Sequence, residues 1–135
     1  MKILIVEDNF VNRKILTKYL SAYGEADIAV DGKEALDAFI AAHKAHDPYQ
    51  LICLDIMMPN VDGRQALDLI RKYEKDNRIF NENPVKILMT TALGDKENII
   101  DAFISQCDEY IIKPIRKEDL FKKLDKIGIK VIYNN

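Results

Sequence analysis

No tryptophan occurs among the 135 residues, and cysteine occurs only twice, as Cys53 and Cys107, outside any CxxC or Cys/His spacing. That scarcity excludes a disulfide-stapled scaffold and a thiolate metal site, and a reduced, cytoplasmic setting is expected. Cys53 lies inside an apolar run and reads as a small hydrophobe. Five glycines and four prolines are too few for an interior linker, and no repeat or low-complexity segment is present. Neither sign of charge is in excess: 20 basic against 22 acidic residues leave a net charge of −2. The chain therefore has no bulk attraction to nucleic acid or anionic membrane. No apolar run approaches the roughly 20 residues of a membrane span. The apolar start, Ile3 to Val6, is too short for a signal peptide, and acids follow at once.

What the chain does have is alternation. It is 48% hydrophobic and 31% charged, the balance of a soluble globular domain with one sizeable core. Short apolar runs read as buried strands at Ile3–Val6, Leu51–Leu54, Val85–Thr91 and Glu109–Lys113, and Glu25–Val30 reads as a short strand in which Ala26, Ile28 and Val30 alternate. Between them, apolar residues recur at helical spacing. Val11, Ile15, Leu16, Tyr19 and Leu20 mark a first helix, with Asp8 or Asn9 as its N-cap and Gly24 as its stop. Ala35, Leu36, Phe39 and Ile40 mark a second, and Ala66, Leu67, Leu69, Ile70 and Tyr73 a third, after an Asp62-Gly63 turn. Ile99, Ile100, Phe103 and Ile104 mark a fourth, and Leu120, Phe121, Leu124 and Ile127 a fifth. His43 and His46, at helical spacing, read as a solvated helix end rather than a metal pair. Five strand–helix repeats call for a doubly wound parallel α/β sheet with right-handed crossovers, and the flavodoxin-like strand order 2-1-3-4-5 is expected.

In such a sheet, chemistry collects at the carboxyl ends of the strands. Those ends carry Glu7 and Asp8, then Asp55, then Thr90 and Thr91, then Lys113. If the first and third strands are neighbours, Glu7, Asp8 and Asp55 crowd one pocket. Clustered carboxylates repel unless a cation intervenes, and hard oxygen donors suit Mg²⁺. A divalent ion neutralises phosphoryl oxygens, so Asp55 can act as a nucleophile that forms an acyl phosphate. The Thr91 hydroxyl and the Lys113 ammonium suit the added negative charge. Taken singly, each residue also has an ordinary role, as cap, turn polar or surface cation.

Four segments, Ile3-Leu-Ile-Val-Glu-Asp-Asn9, Leu54-Asp-Ile-Met-Met-Pro-Asn-Val-Asp-Gly63, Met89-Thr-Thr-Ala92 and Tyr110-Ile-Ile-Lys-Pro114, occur in this order with helices between them. With them the chain resembles the receiver domain of bacterial response regulators over nearly its whole length. The resemblance implies a (βα)5 fold in which Asp55 takes a phosphoryl group from a histidine kinase or a histidine phosphotransfer protein. It implies that Asp8, Asp55 and the main-chain carbonyl of Met57 bind Mg²⁺. Glu7, where Asp is commoner in the family, would act mainly through a bound water. Thr91, which directly precedes Ala92, takes the switch position; Lys113 contacts the phosphoryl group, and its bond to Pro114 is expected to be cis. Tyr110 matches the switch aromatic. On phosphorylation Thr91 moves toward the new group, Tyr110 turns into the space left behind, and a partner reads the surface of the fourth helix, fifth strand and fifth helix.

Apolar Met57 and Leu93 stand where relatives carry polar groups that position the hydrolytic water, so a slowly lost phosphoryl group is expected. The start of the first helix, Asn9-Phe-Val-Asn-Arg13, looks like receivers of hybrid kinases and phosphorelays, and Phe10 is a candidate docking contact for the donor. Residues 1–128 read as the receiver domain and 129–135 as a tail or the start of a linker. A stand-alone receiver without an output module is expected, acting on an unknown protein target and catalysing no turnover of an external substrate. A receiver excised from a hybrid kinase or a longer regulator is the alternative, and dimerisation on phosphorylation stays open. A Mg-dependent, haloacid-dehalogenase-like phosphatase is the competing enzyme class, but it needs an acid two residues after Asp55, where Met57 stands. A nucleotide binder would want a Gly-rich loop after the first strand, and Glu7-Asp8-Asn9 would repel phosphate.

Overall fold

The computed structural model describes residues 1–56, 63–79, 83–92 and 107–131. Five parallel strands, β1 (Lys2–Val6), β2 (Glu25–Ala29), β3 (Leu51–Asp55), β4 (Lys86–Thr91) and β5 (Glu109–Ile112), form one sheet in the order β2-β1-β3-β4-β5. This is the strand order expected from the sequence. α1 (Phe10–Leu20), α2 (Gly32–Lys44), α3 (Gly63–Asp76) and a C-terminal helix (Lys117–Lys126) cover it. The expected helix around Ile99 to Ile104 lies outside the described residues.

Pleat alternation sorts each strand's side chains onto two faces. Leu4, Val6, Ile52, Leu54, Ile87 and Met89 pack against Ala35 and Phe39 of α2 and Ala66, Leu67 and Ile70 of α3. Ile3, Ile5, Leu51, Cys53, Leu88 and Ile111 pack against Leu16 and Leu20 of α1 and Leu120 and Leu124 of the C-terminal helix. The central strands β1 and β3 are buried on both faces, which is why their sequences are continuous apolar runs rather than alternating ones. Cys53 is one of these packing residues, and burial pushes its thiol up to about 12, so it stays protonated and inert.

Two local expectations are corrected. Val11 and Ile15 share the helical spacing of the core residues of α1, yet they are 61% and 37% exposed; burial is confined to Leu16 and Leu20, with Tyr19 at its edge. The apolar stripe of α1 is wider than the face the helix buries. His43 is not a solvated helix end: its ring stacks edge-on against Phe39 at 4.7 Å and beside Tyr73 at 5.9 Å. Burial lowers its pKa, with Glu74 opposing. Beyond the Gly128 stop, which has the left-handed φ of 87° of a C′ glycine, Ile129 folds back into the core and its N–H donates to Leu124 O. Among the described residues no helix is long and apolar enough to cross a membrane.

Glu109, at the start of β5, is a buried carboxylate held by Lys126 at 2.9 Å and Lys123 at 3.5 Å, and it accepts from the Tyr110 N–H. Burial, the largest single influence, pushes its pKa up; the two ammonium groups and the N–H together outweigh it and hold the pKa below the ordinary 4.5. A depressed folded-state pKa means stability that is full above the unfolded value and lost as pH falls through the folded one. The stability difference between wild type and Glu109→Gln is therefore expected to be constant near neutrality and to shrink as pH drops below 4.5. Urea unfolding at a series of pH values measures it, and a difference that grows on acidification would contradict the assignment.

Candidate functional site

The site is assembled by three strand ends. Glu7 and Asp8 follow β1, Asp55 closes β3 and Lys113 follows β5. β1 lies directly beside β3, with Val6 opposite Leu54, so the two acidic ends meet. One carboxylate oxygen from each of Glu7, Asp8 and Asp55 lies within 4.8 Å of the others. Glu7 and Asp55 are buried, at 0% and 4% exposure, while Asp8 faces solvent. Asn9 is the N-cap of α1, its side chain accepting from Asn12 N at 3.0 Å, which leaves Asp8 to the cluster. Arg13 donates to the carbonyls of Glu7 and Asp8 at 3.3 and 3.0 Å and so fixes the turn that carries them.

Lys113 supplies the counter-charge. Its ammonium donates to Glu7 Oε1 at 2.7 Å and to Asp55 Oδ2 at 3.1 Å. Burial alone would lower its pKa; the two carboxylates outweigh burial and hold it above the usual lysine range. Its bond to Pro114 is cis, as expected, and its N–H donates to Thr91 O at 2.7 Å. Three carboxylates, those of Glu7, Asp8 and Asp55, converge beside this ammonium. Hard oxygens this close fit a small divalent cation such as Mg²⁺. The Met57 carbonyl, the remaining expected ligand, and Leu93 lie outside the described residues.

The adjacent threonines of β4 fall on opposite faces. Thr91 shares the face of Met89, against which Tyr110 also packs; Thr90 pairs across the ladder with Asp55 and shares the face of Leu88. Thr91 is fully buried and its Oγ1 donates to Ala92 O at 3.3 Å. Tyr110 is half-buried, with the Lys123 ammonium 5.1 Å from its ring centroid. The Thr90 hydroxyl is buried with no hydrogen-bond partner among the described residues. An orphaned buried hydroxyl costs stability, and an isosteric methyl removes that cost. Thr90→Val is therefore expected to raise the unfolding free energy by about 1 kcal/mol in urea melts; a loss of stability would mean that the hydroxyl is bonded.

Sequence reasoning missed Arg71, Glu74 and Asp108, which form a buried ionic network at the opposite end of the strands. Arg71 and Glu74 are not among the apolar residues that mark the third helix, and their third partner is 37 residues away from Arg71. A polar pair at i, i+3 inside an otherwise apolar stripe was the available signal.

The protein-family model for the response regulator receiver domain matches residues 3–125. The chain is 37% identical over 128 residues to hybrid signal transduction histidine kinase L of Dictyostelium discoideum, covering 94% of this chain and 7% of that protein. It is 36% identical over 128 residues to the regulatory protein VanRB of Enterococcus faecalis, covering 94% of this chain and 52% of VanRB. The chain thus spans about half the length of one curated relative and a small fraction of the other. Among solved structures it superposes on the receiver domain of Saccharomyces cerevisiae Ssk1, crystallised with the histidine phosphotransfer protein Ypd1, with a TM-score of 0.79, 32% identity, and coverage of 95% of this chain and 88% of that one. A CheY from Borrelia burgdorferi, crystallised with CheX, BeF3 and magnesium, matches with a TM-score of 0.79 and 26% identity over 96% of this chain and 90% of that one. By sequence, strand order and these likenesses, the chain belongs to the response regulator receiver domain family.

Proposed function

We propose that this receiver takes a phosphoryl group from a phosphohistidine donor onto Asp55. The observation that carries the proposal is the meeting of Glu7, Asp8 and Asp55 within 4.8 Å, with Lys113 3.1 Å from Asp55. In the reaction an Asp55 carboxylate oxygen attacks phosphorus. The P–N bond breaks, its electron pair stays with the imidazole nitrogen, and an acyl phosphate forms. Asp8 and Asp55, with Glu7 beside them, would hold Mg²⁺, which when bound offsets charge on the phosphoryl oxygens. Lys113 starts in an ion pair with the attacking carboxylate, so its ammonium is already placed where negative charge accumulates. Thr91 is the hydroxyl that follows the new charge, and Tyr110 the aromatic that responds. The cleft lined by Tyr110, Ile111, Ile112, Asp119, Lys122 and Lys123, about 280 Å³, belongs to the surface a partner would read. No turnover of an external substrate is expected, and a cytoplasmic location is part of the same proposal. Incubation with acetyl phosphate, with and without Mg²⁺, followed by intact mass tests it: a Mg-dependent gain of one phosphoryl group supports the reading, and its absence from folded protein overturns it.

The donor is a histidine kinase or a histidine phosphotransfer protein, and the start of α1 is the surface that meets it. Phe10 and Val11 are 63% and 61% exposed immediately after the acidic turn, and Ile15 extends the patch by one helical turn. The Arg13 and Lys14 cations flank the Phe10 ring at 5.7 and 5.6 Å. Arg13 also braces the site itself, so the discriminating variant leaves it in place. Phe10→Ala combined with Val11→Ala is expected to slow transfer from a phosphorylated histidine phosphotransfer protein about tenfold while leaving uptake from acetyl phosphate unchanged. Equal slowing with both donors would remove the docking role.

A further inference from the structure

Arg71 and Glu74 of α3 are buried, at 7% and 0% exposure, at the end of the sheet away from the acidic pocket. Charges there persist only when fully paired. Arg71 Nη1 donates to Glu74 Oε1 at 2.7 Å and to Val85 O at 2.8 Å, and Glu74 Oε2 accepts from Val85 N at 2.8 Å. Arg71 Nη2 donates to Asp108 Oδ2 at 2.9 Å. Asp108 in turn grips Ile87 twice: its N–H donates to Ile87 O at 2.9 Å, and its Oδ2 accepts from Ile87 N at 2.7 Å.

These bonds lie where β5 enters the sheet. β5 has four residues and pairs with β4 alone among the described residues, so its short ladder contributes few hydrogen bonds to holding its register. The Asp108–Ile87 grip starts the register that places Tyr110 beside Met89 and ends with Lys113 N on Thr91 O. A slip of one residue would turn Lys113 to the other face and withdraw its ammonium from Glu7 and Asp55. α3 itself is tied at its far end to the acceptor strand, since Gly63 N donates to Ile56 O at 2.9 Å.

We propose that Arg71 and Asp108 are positioning residues for phosphoryl transfer: anchored by α3, they pin the register of β5 and thereby hold Lys113 at Asp55 from about 16 Å away. This rests on the phospho-acceptor reading. A buried ion pair adds little net stability over an apolar substitute, but the rigid guanidinium fork fixes the geometry of the groups it joins. The acidic trio lies at the ends of β1 and β3, and none of its carboxylates bonds to Arg71 or Asp108 among the bonds given above, so metal binding and phosphorylation separate.

The test measures acetyl phosphate uptake by intact mass, Mg²⁺ affinity by calorimetry and thermal melting for wild type, Arg71→Gln, Asp108→Ala and the double variant. Each single variant is expected to lose about tenfold in uptake rate, the double variant about as much as either single because the two act as a unit, and Mg²⁺ affinity is expected to hold or rise. Asp108→Ala removes the oxygen that accepts from both Arg71 and Ile87 N and leaves Arg71 paired with Glu74, so it carries the test alone if Arg71→Gln fails to melt cooperatively. Unchanged uptake in a folded variant, or Mg²⁺ affinity falling in step with uptake, overturns the positioning role. A wild type that gains no phosphoryl mass strikes the phospho-acceptor reading instead.

Discussion

Asp55→Asn is expected to bring phosphoryl uptake to background while leaving the fold intact. The amide matches the carboxylate in shape but is not a nucleophile, so no acyl phosphate forms. The fold survives because the change relieves charge crowding. Asp55 is one of three carboxylates within 4.8 Å, and Lys113 keeps its shorter bond, 2.7 Å, to Glu7 after Asp55 is neutralised. Removing one of several like charges in a buried cluster lowers their mutual repulsion. Without divalent cation the variant should therefore unfold at an equal or higher urea concentration than wild type, and added Mg²⁺ should stabilise it less. Intact mass after acetyl phosphate, with urea melts at two Mg²⁺ concentrations, reads both effects. A phosphoryl adduct that persists in Asp55→Asn would move the acceptor to another carboxylate, Asp8 being the exposed one.

Reading Asp55 from sequence was feasible because the apolar run before it makes β3 buried on both faces, and a parallel sheet leaves few places where such a strand can end. The same logic brought in Glu7, Asp8 and Lys113, whose positions depend on strand order alone. What stayed hidden depends on lateral cover and long-range closure. Helical spacing cannot tell how wide a face of α1 the rest of the fold covers, so Val11 and Ile15 share the spacing of Leu16 and Leu20 and yet are exposed. Spacing sets His43 one helical turn after Phe39 in α2, but it cannot bring in the Tyr73 ring, which comes from α3. The Arg71–Asp108 pair needs the β4–β5 register before it can be seen at all. Thr90 and Thr91, adjacent and chemically identical, were separable only through the motif that places Thr91 before Ala92; the pleat gives the physical difference, with Thr91 on the face of Tyr110 and Thr90 level with Asp55.

Gly63 shows a residue correctly noticed for an incomplete reason. In sequence it closes an Asp-Gly turn, where glycine serves by reaching positive φ. In the fold it is the first residue of α3, it is buried, and no positive φ is involved. Its need is space: a Cβ there would sit 1.9 Å from Asp55 O, 2.7 Å from Asp55 C and 2.8 Å from Ile56 Cα. Those are backbone atoms at the end of β3, with no side chain to swing aside, so the start of α3 has to move bodily. Gly63→Ala is expected to cost about 3 kcal/mol or more, a fall in Tm of roughly 10 °C for a domain of this size. Because the displaced contact includes Gly63 N to Ile56 O, uptake on Asp55 should fall in the fraction that remains folded. Gly128→Ala is the control. A Cβ there meets nothing within 4 Å, and only the φ of 87° opposes it, so the cost should be about 1 kcal/mol with uptake unchanged. If the two variants destabilise equally, close approach at Asp55 is not what requires glycine at position 63, and α3 starts with more freedom than its tie to β3 implies.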